Sequence, residues 1–218
     1  MSFELEKILQ KNIVVLYEAL DISAISRDGV RKILDNAEPL LNEFPGALIV
    51  TYQPANIQCI FANRRVQITD FNSTPPTESL IPKLTKKVAA LIKDGKLVAY
   101  GFNFIFNFSS PDVEQPGLFL KKVFLPESKV IEQKLTGTIK EFSPTFKFPR
   151  KDVIYTFTLV PEEADSTAQE GSKSSTIRAQ CNVHYGKKKL PSAIKQLQKE
   201  FECQFDFLVD LGEKLLKG

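Results

Sequence analysis

Alternation of apolar and polar side chains is most regular between residues 96 and 109. One face of this segment carries six apolar or aromatic side chains: Val98, Tyr100, Phe102, Phe104, Phe106 and Phe108. A period of two residues predicts a β-strand, since successive strand side chains point to opposite faces of a sheet. Phenylalanine is usually buried, and only Lys96 places a positive charge in this strand. We therefore interpret the aromatic face as core rather than as a platform for stacking nucleic-acid bases.

Shorter apolar runs predict further strands. In the first half they lie at residues 12–22, 47–53, 57–62 and 65–71, and in the second half at 129–142, 151–160 and 176–185. Asn63 falls in the tight turn between two of these strands, because asparagine tolerates the left-handed backbone conformation that such turns need. The polar connector 161–175 is typical of a mobile hairpin loop.

Helical spacing of apolar residues predicts three helices and one shorter segment. The three helices run from Ser26 to Phe44, from Thr77 to Asp94 and from Pro191 to about Leu216, and the short segment at Leu118–Phe124 is either helical or irregular. Ser26 is a suitable N-cap residue for the first helix, and Pro39 should kink or split it. Gly95 is expected to end the second helix.

These elements predict an α+β fold. We expect a mixed or mainly antiparallel sheet, with helices packed on one side and a long C-terminal helix. Residues 1–110 form an N-terminal α+β half, and residues 111–218 form a C-terminal half with three antiparallel strands and the long helix. The two halves can equally be one continuous domain.

Composition is that of an ordinary soluble protein. Of 218 residues, 43% are hydrophobic and 25% are charged, and the net charge of +3 gives no argument for a polyanionic partner. No apolar run is long enough to span a membrane, and no basic, apolar leader opens the chain. Three cysteines, Cys59, Cys181 and Cys203, lack framework spacing and fit reduced thiols, and we expect them to be buried in the core. We therefore expect a cytoplasmic protein without membrane partners.

The sequence contains few of the residues and motifs that catalysis commonly uses. His184 is the single histidine, and no CxxC, HExxH, GxGxxG or GxxxxGK[ST] motif is present. We predict no catalytic residues, no metal ligands and no cofactor. This inventory favours a non-enzymatic protein, although folding can still bring distant carboxylates together.

A polar strand face is the best candidate for a binding surface. Arg178, Gln180, Asn182 and His184 alternate with apolar residues in the strand 176–185. Their side chains donate and accept hydrogen bonds, which suits specific recognition. Thr156 and Thr158 lie beside this face, and Asn103 and Asn107 join it if the two halves share one sheet. The simpler interpretation is a solvated sheet face that needs polar residues for solubility.

Three hypotheses for function follow. The leading one is an intracellular protein that binds another macromolecule, most plausibly a protein, as an adaptor, inhibitor or complex subunit. The first alternative is nucleic-acid binding through gathered basic clusters: Arg64-Arg65, Lys86-Lys87, Lys121-Lys122, Arg150-Lys151 and Lys187-Lys188-Lys189. The second alternative is an enzyme centred on Arg178 and His184.

The apolar stripe of the C-terminal helix also suggests self-association. Its spacing is close to the 3.5-residue period of a coiled coil. We expect the section from Phe205 to Leu216 to extend past the sheet, where it would pair with a second copy of the chain. A homodimer is therefore favoured.

Overall fold

Nine strands and five α-helices form the part of the chain that the computed structural model describes, which is residues 2–34, 37–92, 95–162, 176–186 and 189–217. The strands are β1 Glu4–Tyr17, β2 Leu40–Phe44, β3 Ala47–Tyr52, β4 Ile57–Ala62, β5 Arg65–Asp70, β6 Leu97–Ser109, β7 Thr145–Arg150, β8 Val153–Glu162 and β9 Thr176–Gly186. The helices are α1 Arg27–Arg31, α2 Ile81–Leu91, α3 Pro116–Phe124, α4 Ser128–Leu135 and α5 Ile194–Leu215. The predicted α+β class with a long C-terminal helix is confirmed.

The strands form one antiparallel sheet in the order β2-β3-β4-β5-β1-β6-β9-β8-β7. Strand β6 joins the two halves of the chain, since it pairs with β1 on one side and with β9 on the other. The sheet therefore continues without a break across the boundary at residue 110. This pairing is what brings the polar faces of β6 and β9 together.

The aromatic face of β6 is the centre of the core. Phe102, Phe104 and Phe106 are fully buried, and rings of α5 pack on them. Phe201 lies 4.9 Å from Phe104, and Phe205 lies 5.5 Å from Phe106, measured between ring centroids. Burial of these rings supports the interpretation of this face as core rather than as a base-stacking platform.

A buried lysine fixes the segment that follows β5. Lys11 is fully buried on the helix-covered face of β1, and its ammonium donates to the carbonyls of Asn72 and Thr74 at 2.7 Å each. Asp70 lies 3.4 Å from the same ammonium and accepts a hydrogen bond from Ser79. Desolvation lowers the pKa of Lys11 despite the attraction to Asp70.

Local patterns predicted several elements correctly. Strands β3, β4, β5, β6, β8 and β9 lie within two residues of the expected positions, and α3 and α5 are also present. The turn between β4 and β5 has positive φ at Asn63 and Arg64, of 48° and 64°, as a tight hairpin requires. Ser26 caps α1, because its hydroxyl accepts a hydrogen bond from the amide of Gly29.

The N-terminal predictions need two corrections. The strand expected at 12–22 begins earlier, at Glu4, and ends at Tyr17. The helix expected from Ser26 to Phe44 is only the short α1, and its second half is strand β2. Proline disfavours helical geometry in the residue before it, so the apolar residues after Pro39 pair with β3 instead.

Two other predicted elements also differ. The strand expected at 129–142 is wrong, because residues 128–135 form α4 and the strand begins at Thr145. Helix α2 begins at Ile81, with Pro82 in its first turn, and ends at Leu91, before Gly95. The predicted loop 161–175 lies mostly outside the described residues.

The C-terminal helix does not extend past the sheet. Phe205, Leu208 and Leu216 are buried within their own chain, and Leu211 and Leu215 are half-buried against the same core, so most of the stripe expected to pair with a second copy is already covered. This removes the reason for a homodimer through α5. None of the helices in the described ranges is long and apolar enough to cross a membrane.

Candidate functional site

One face of the sheet carries no helix in the described part of the chain. Helix α5 packs on the rings of β6, and α3 places Phe124 against Phe146 of β7. The buried side chains of α2 belong to the same core, and α1 accepts a hydrogen bond there from Tyr52. All these contacts lie on one side of the sheet. The opposite side is called the open face below.

Strand register places the open-face residues in transverse rows. One row is Asn42, Ile49, Ile60, Gln67, Val14, Gly101, His184, Ile154 and Pro149. The next is Leu40, Thr51, Gln58, Thr69, Asn12, Asn103, Asn182, Thr156 and Lys147. A shorter third row is Gln10, Ile105, Gln180, Thr158 and Thr145. These three rows are called the neutral face.

Hydrogen bonds between neighbouring strands order the centre of the neutral face. The amide nitrogen of Asn182 donates to the side-chain oxygen of Asn103 at 2.5 Å, and that of Asn103 donates to Asn12 at 2.6 Å. Toward β5, Gln67 donates to Thr69 at 3.0 Å. Asn12 is 3% exposed, whereas Asn182 is exposed. The row therefore presents an ordered series of amide and hydroxyl groups.

Formal charge is nearly absent from the neutral face. Lys147, on the edge strand β7, is the one Asp, Glu, Lys or Arg among its 23 positions. Eight of these positions are exposed, and a composition of 25% charged residues would place about two there. Charged side chains of the open face lie in the outermost rows instead, including Arg65 at one end and Glu4, Lys7 and Glu162 at the other.

The four residues predicted for binding all lie on the open face of β9. Gln180, Asn182 and His184 belong to the neutral face, and Arg178 lies one row beyond it. Arg178 forms an ion pair with Glu162. Arg178 and His184 are six residues apart along one strand, or about 20 Å. This separation is too large for both to act on one reacting centre.

The predicted basic clusters lie on different elements. Lys86 donates to the carbonyl of Pro191, Lys87 donates to that of Ile33, and Lys121 forms an ion pair with Glu132 at 2.5 Å. Arg150 stacks over the ring of Phe207, 4.3 Å from its centroid. Lys187 and Lys188 of the triplet lie outside the described residues. Lys86, Lys87 and Lys121 are thus bonded to other groups of the chain, whereas Arg64, Arg65, Lys151 and Lys189 lie toward one strand-end edge of the sheet. The five clusters do not gather into a single surface.

The described ranges contain no assembled metal-binding site, and two of their three thiols are buried. No group of three or more His, Cys, Asp or Glu side chains there could hold a metal ion. Burial raises the pKa of the Cys59 thiol to about 12 and that of Cys181 well above its usual value. Cys203 is exposed, whereas a buried thiol was expected. The two buried thiols are thus protonated and unreactive.

Two clefts lie near the strand ends rather than on the neutral face. One, of about 490 Å³, is lined mainly by apolar side chains such as Leu20, Ile25 and Leu91. The other, of about 480 Å³, contains the ion pair between Arg27 and Glu43. None of the four predicted binding residues lines either cleft.

Sequence reasoning named six of the 23 positions of the neutral face and missed the other 17. Six of those missed are Gly101, Ile105, Ile154, Thr145, Lys147 and Pro149. The other eleven are alternating positions of the first five strands: Leu40, Asn42, Ile49, Thr51, Gln58, Ile60, Gln67, Thr69, Gln10, Asn12 and Val14. Their alternation with buried residues was visible in the correctly predicted strands β3, β4 and β5. The order of the strands, which joins them to β6 and β9, was not. By contrast, Asn103, Thr156 and Thr158 join the polar face of β9 as expected.

No family model matches this chain, and comparison with curated proteins finds no significant similarity. The surface itself is therefore the basis for a functional assignment.

Proposed function

We propose that this chain is a protein-binding subunit that docks its partner on the neutral face. One observation carries this proposal: a sheet face that no helix of the described residues covers, with 23 positions on nine strands, holds a single formally charged side chain. Protein interfaces have the same arrangement, with charged residues depleted at the centre and polar or charged residues around the rim.

The simpler interpretation, a solvated sheet face, explains the polar residues but not the missing charges. Charged side chains are a common protection of sheets against association, and a solvated surface typically carries charges of both signs. Here the exposed positions other than Lys147 hold amides, hydroxyls and apolar groups. Leu40 and Ile154 are 53% and 42% exposed on this face. Such a surface is compatible with water, but burying it against a complementary surface is energetically favourable.

The test is affinity capture with one substitution on the neutral face and one elsewhere. Gln180→Arg places a charge at an exposed position of the neutral face. Gln133→Arg makes the same change at an exposed position of α4, the helix that is tied to α3 by the Glu132–Lys121 ion pair. Both tagged variants are incubated with lysate of cells that naturally make the protein. We expect Gln133→Arg to retain the proteins that the wild type captures and Gln180→Arg to lose them. Equal retention by both variants would refute the proposal.

A further inference from the structure

The neutral face is large enough to form a stable interface alone. Strands lie ~4.8 Å apart, and each outward side chain occupies ~6.8 Å along its strand, so the face covers roughly 750 Å². A stable protein complex typically buries about 800 Å² on each partner. No additional surface is therefore needed to hold one partner.

The chemistry of this surface is self-complementary. Amide side chains carry both donors and acceptors, and hydroxyls can act as either. Asn103, Gln180 and Thr158 can therefore pair with the same kinds of group on another copy. A face rich in lysine or glutamate would repel its own copy, but the neutral face does not.

The two strand-end edges of the sheet carry opposite charges. At the edge where β1 and β9 end, basic residues outnumber acidic ones among the exposed charges: Arg64, Arg65, Lys96, Arg150, Lys151 and Lys189, against Glu18, Asp21, Glu43 and Asp152. We call this the basic edge. At the other edge, exposed charges are mainly acidic: Glu4, Glu78, Asp112, Glu114 and Glu141, against Lys7 and Lys140. We call this the acidic edge.

We propose that the partner on the neutral face is a second copy of this chain. A twofold axis that lies between the two sheets and runs perpendicular to the strands reverses the strand direction of the second copy. The neutral faces then meet, and each basic edge lies opposite an acidic edge. The inference rests on the proposed function, since it names the partner of the same surface. It replaces the dimer through α5 that the sequence suggested.

Sedimentation velocity on the purified full chain tests this inference. We expect a concentration-dependent species of twice the 24.6 kDa chain mass. Gln180→Arg should raise the dissociation constant of the dimer at least ~10-fold, because each of the two copies would bury one added charge in the interface. Gln133→Arg should leave it unchanged. A chain that stays monomeric at about 100 µM, well above the dissociation constant of a stable dimer, would overturn the inference. So would a dimer insensitive to Gln180→Arg.

Charge exchange between the edges tests the orientation of the two copies. Arg65→Glu with Lys96→Glu reverses part of the basic edge, and Glu4→Lys with Asp112→Lys reverses part of the acidic edge. Each pair alone should weaken the dimer, and this effect should fade at high salt. All four substitutions together should restore it, because each edge again faces its opposite. Additive weakening in the quadruple variant would refute the proposed axis.

The same variants separate failure of this inference from failure of the proposed function. If the wild type is monomeric but Gln180→Arg still abolishes capture of a different protein, the partner is not a second copy and the proposed function stands. If Gln180→Arg alters neither self-association nor capture, both fail. Circular dichroism of each variant shows whether the fold is retained.

Discussion

A glycine in the last third of α5 marks the closest approach of this helix to the sheet. A Cβ atom at Gly212 would lie 2.3 Å from Cζ and 2.5 Å from Cε2 of Phe108. Ordinary van der Waals contact begins near ~3.5 Å. Phe108 is fully buried, and its ring packs on Phe106 with centroids 5.3 Å apart. The ring therefore cannot withdraw without displacing its neighbour.

Two effects compete when Gly212 is replaced by alanine. Alanine is favoured over glycine in a helix by about 1 kcal/mol, whereas overpacking a core costs about 1–3 kcal/mol. Because the overlap with Phe108 exceeds 1 Å, we take the upper end of that range. Gly212→Ala should therefore lower the free energy of unfolding by about 2 kcal/mol, which corresponds to a Tm lower by roughly 4–8 °C.

Urea unfolding followed by circular dichroism measures this change, since the chain has no tryptophan. Gly137→Ala is the matched control, because the nearest atom to its added Cβ is a backbone oxygen 3.8 Å away. In a Phe108→Leu background, the destabilisation by Gly212→Ala should shrink, since the smaller side chain vacates the space. A Gly212→Ala variant as stable as the wild type would refute this reasoning.

Three further predictions follow from burial and topology. Lys11→Met should lower the free energy of unfolding by about 3 kcal/mol, because Asp70 stays buried without its cation; adding Asp70→Asn should restore part of this loss in urea unfolding. Ellman's reagent should modify Cys203 rapidly and Cys59 and Cys181 only after denaturation, whereas three fast thiols would contradict their burial. In hydrogen exchange, amides of β6 should be the best protected and those of the edge strand β2 among the least; equal protection would argue against the strand order.

The sequence predicts those elements that neighbouring residues determine, but not those that depend on contacts between distant parts of the chain. Strand β6 and the turn at Asn63 are encoded by neighbouring residues, so alternation and turn chemistry predicted them. The segment 128–135 contains the β-branched pair Val130 and Ile131, which favours a strand. It instead forms α4. Glu132 of this helix forms an ion pair with Lys121 and accepts a hydrogen bond from the amide of Ile139. These partners are seven or more residues away and invisible to a local pattern.

The candidate site was predictable to the same extent. Alternation in β9 identified Gln180, Asn182 and His184 as one polar face. The hydrogen-bonded row that joins Asn182 to Asn103 and Asn12 depends on the pairing of β6 with both β1 and β9. These strands are far apart in the chain, so only the folded sheet shows that the neutral face holds a single charged residue.

Photo-crosslinking from the neutral face tests the central claim most directly. A benzophenone amino acid placed at Gln180, or at Gln133 as the control, is irradiated in cells that naturally make the protein. Covalent adducts are then identified by mass spectrometry. The proposed function predicts protein adducts from Gln180 that are absent from Gln133, with a second copy of this chain among them. No adducts from Gln180, or the same adducts from both positions, would contradict the claim that the neutral face binds protein.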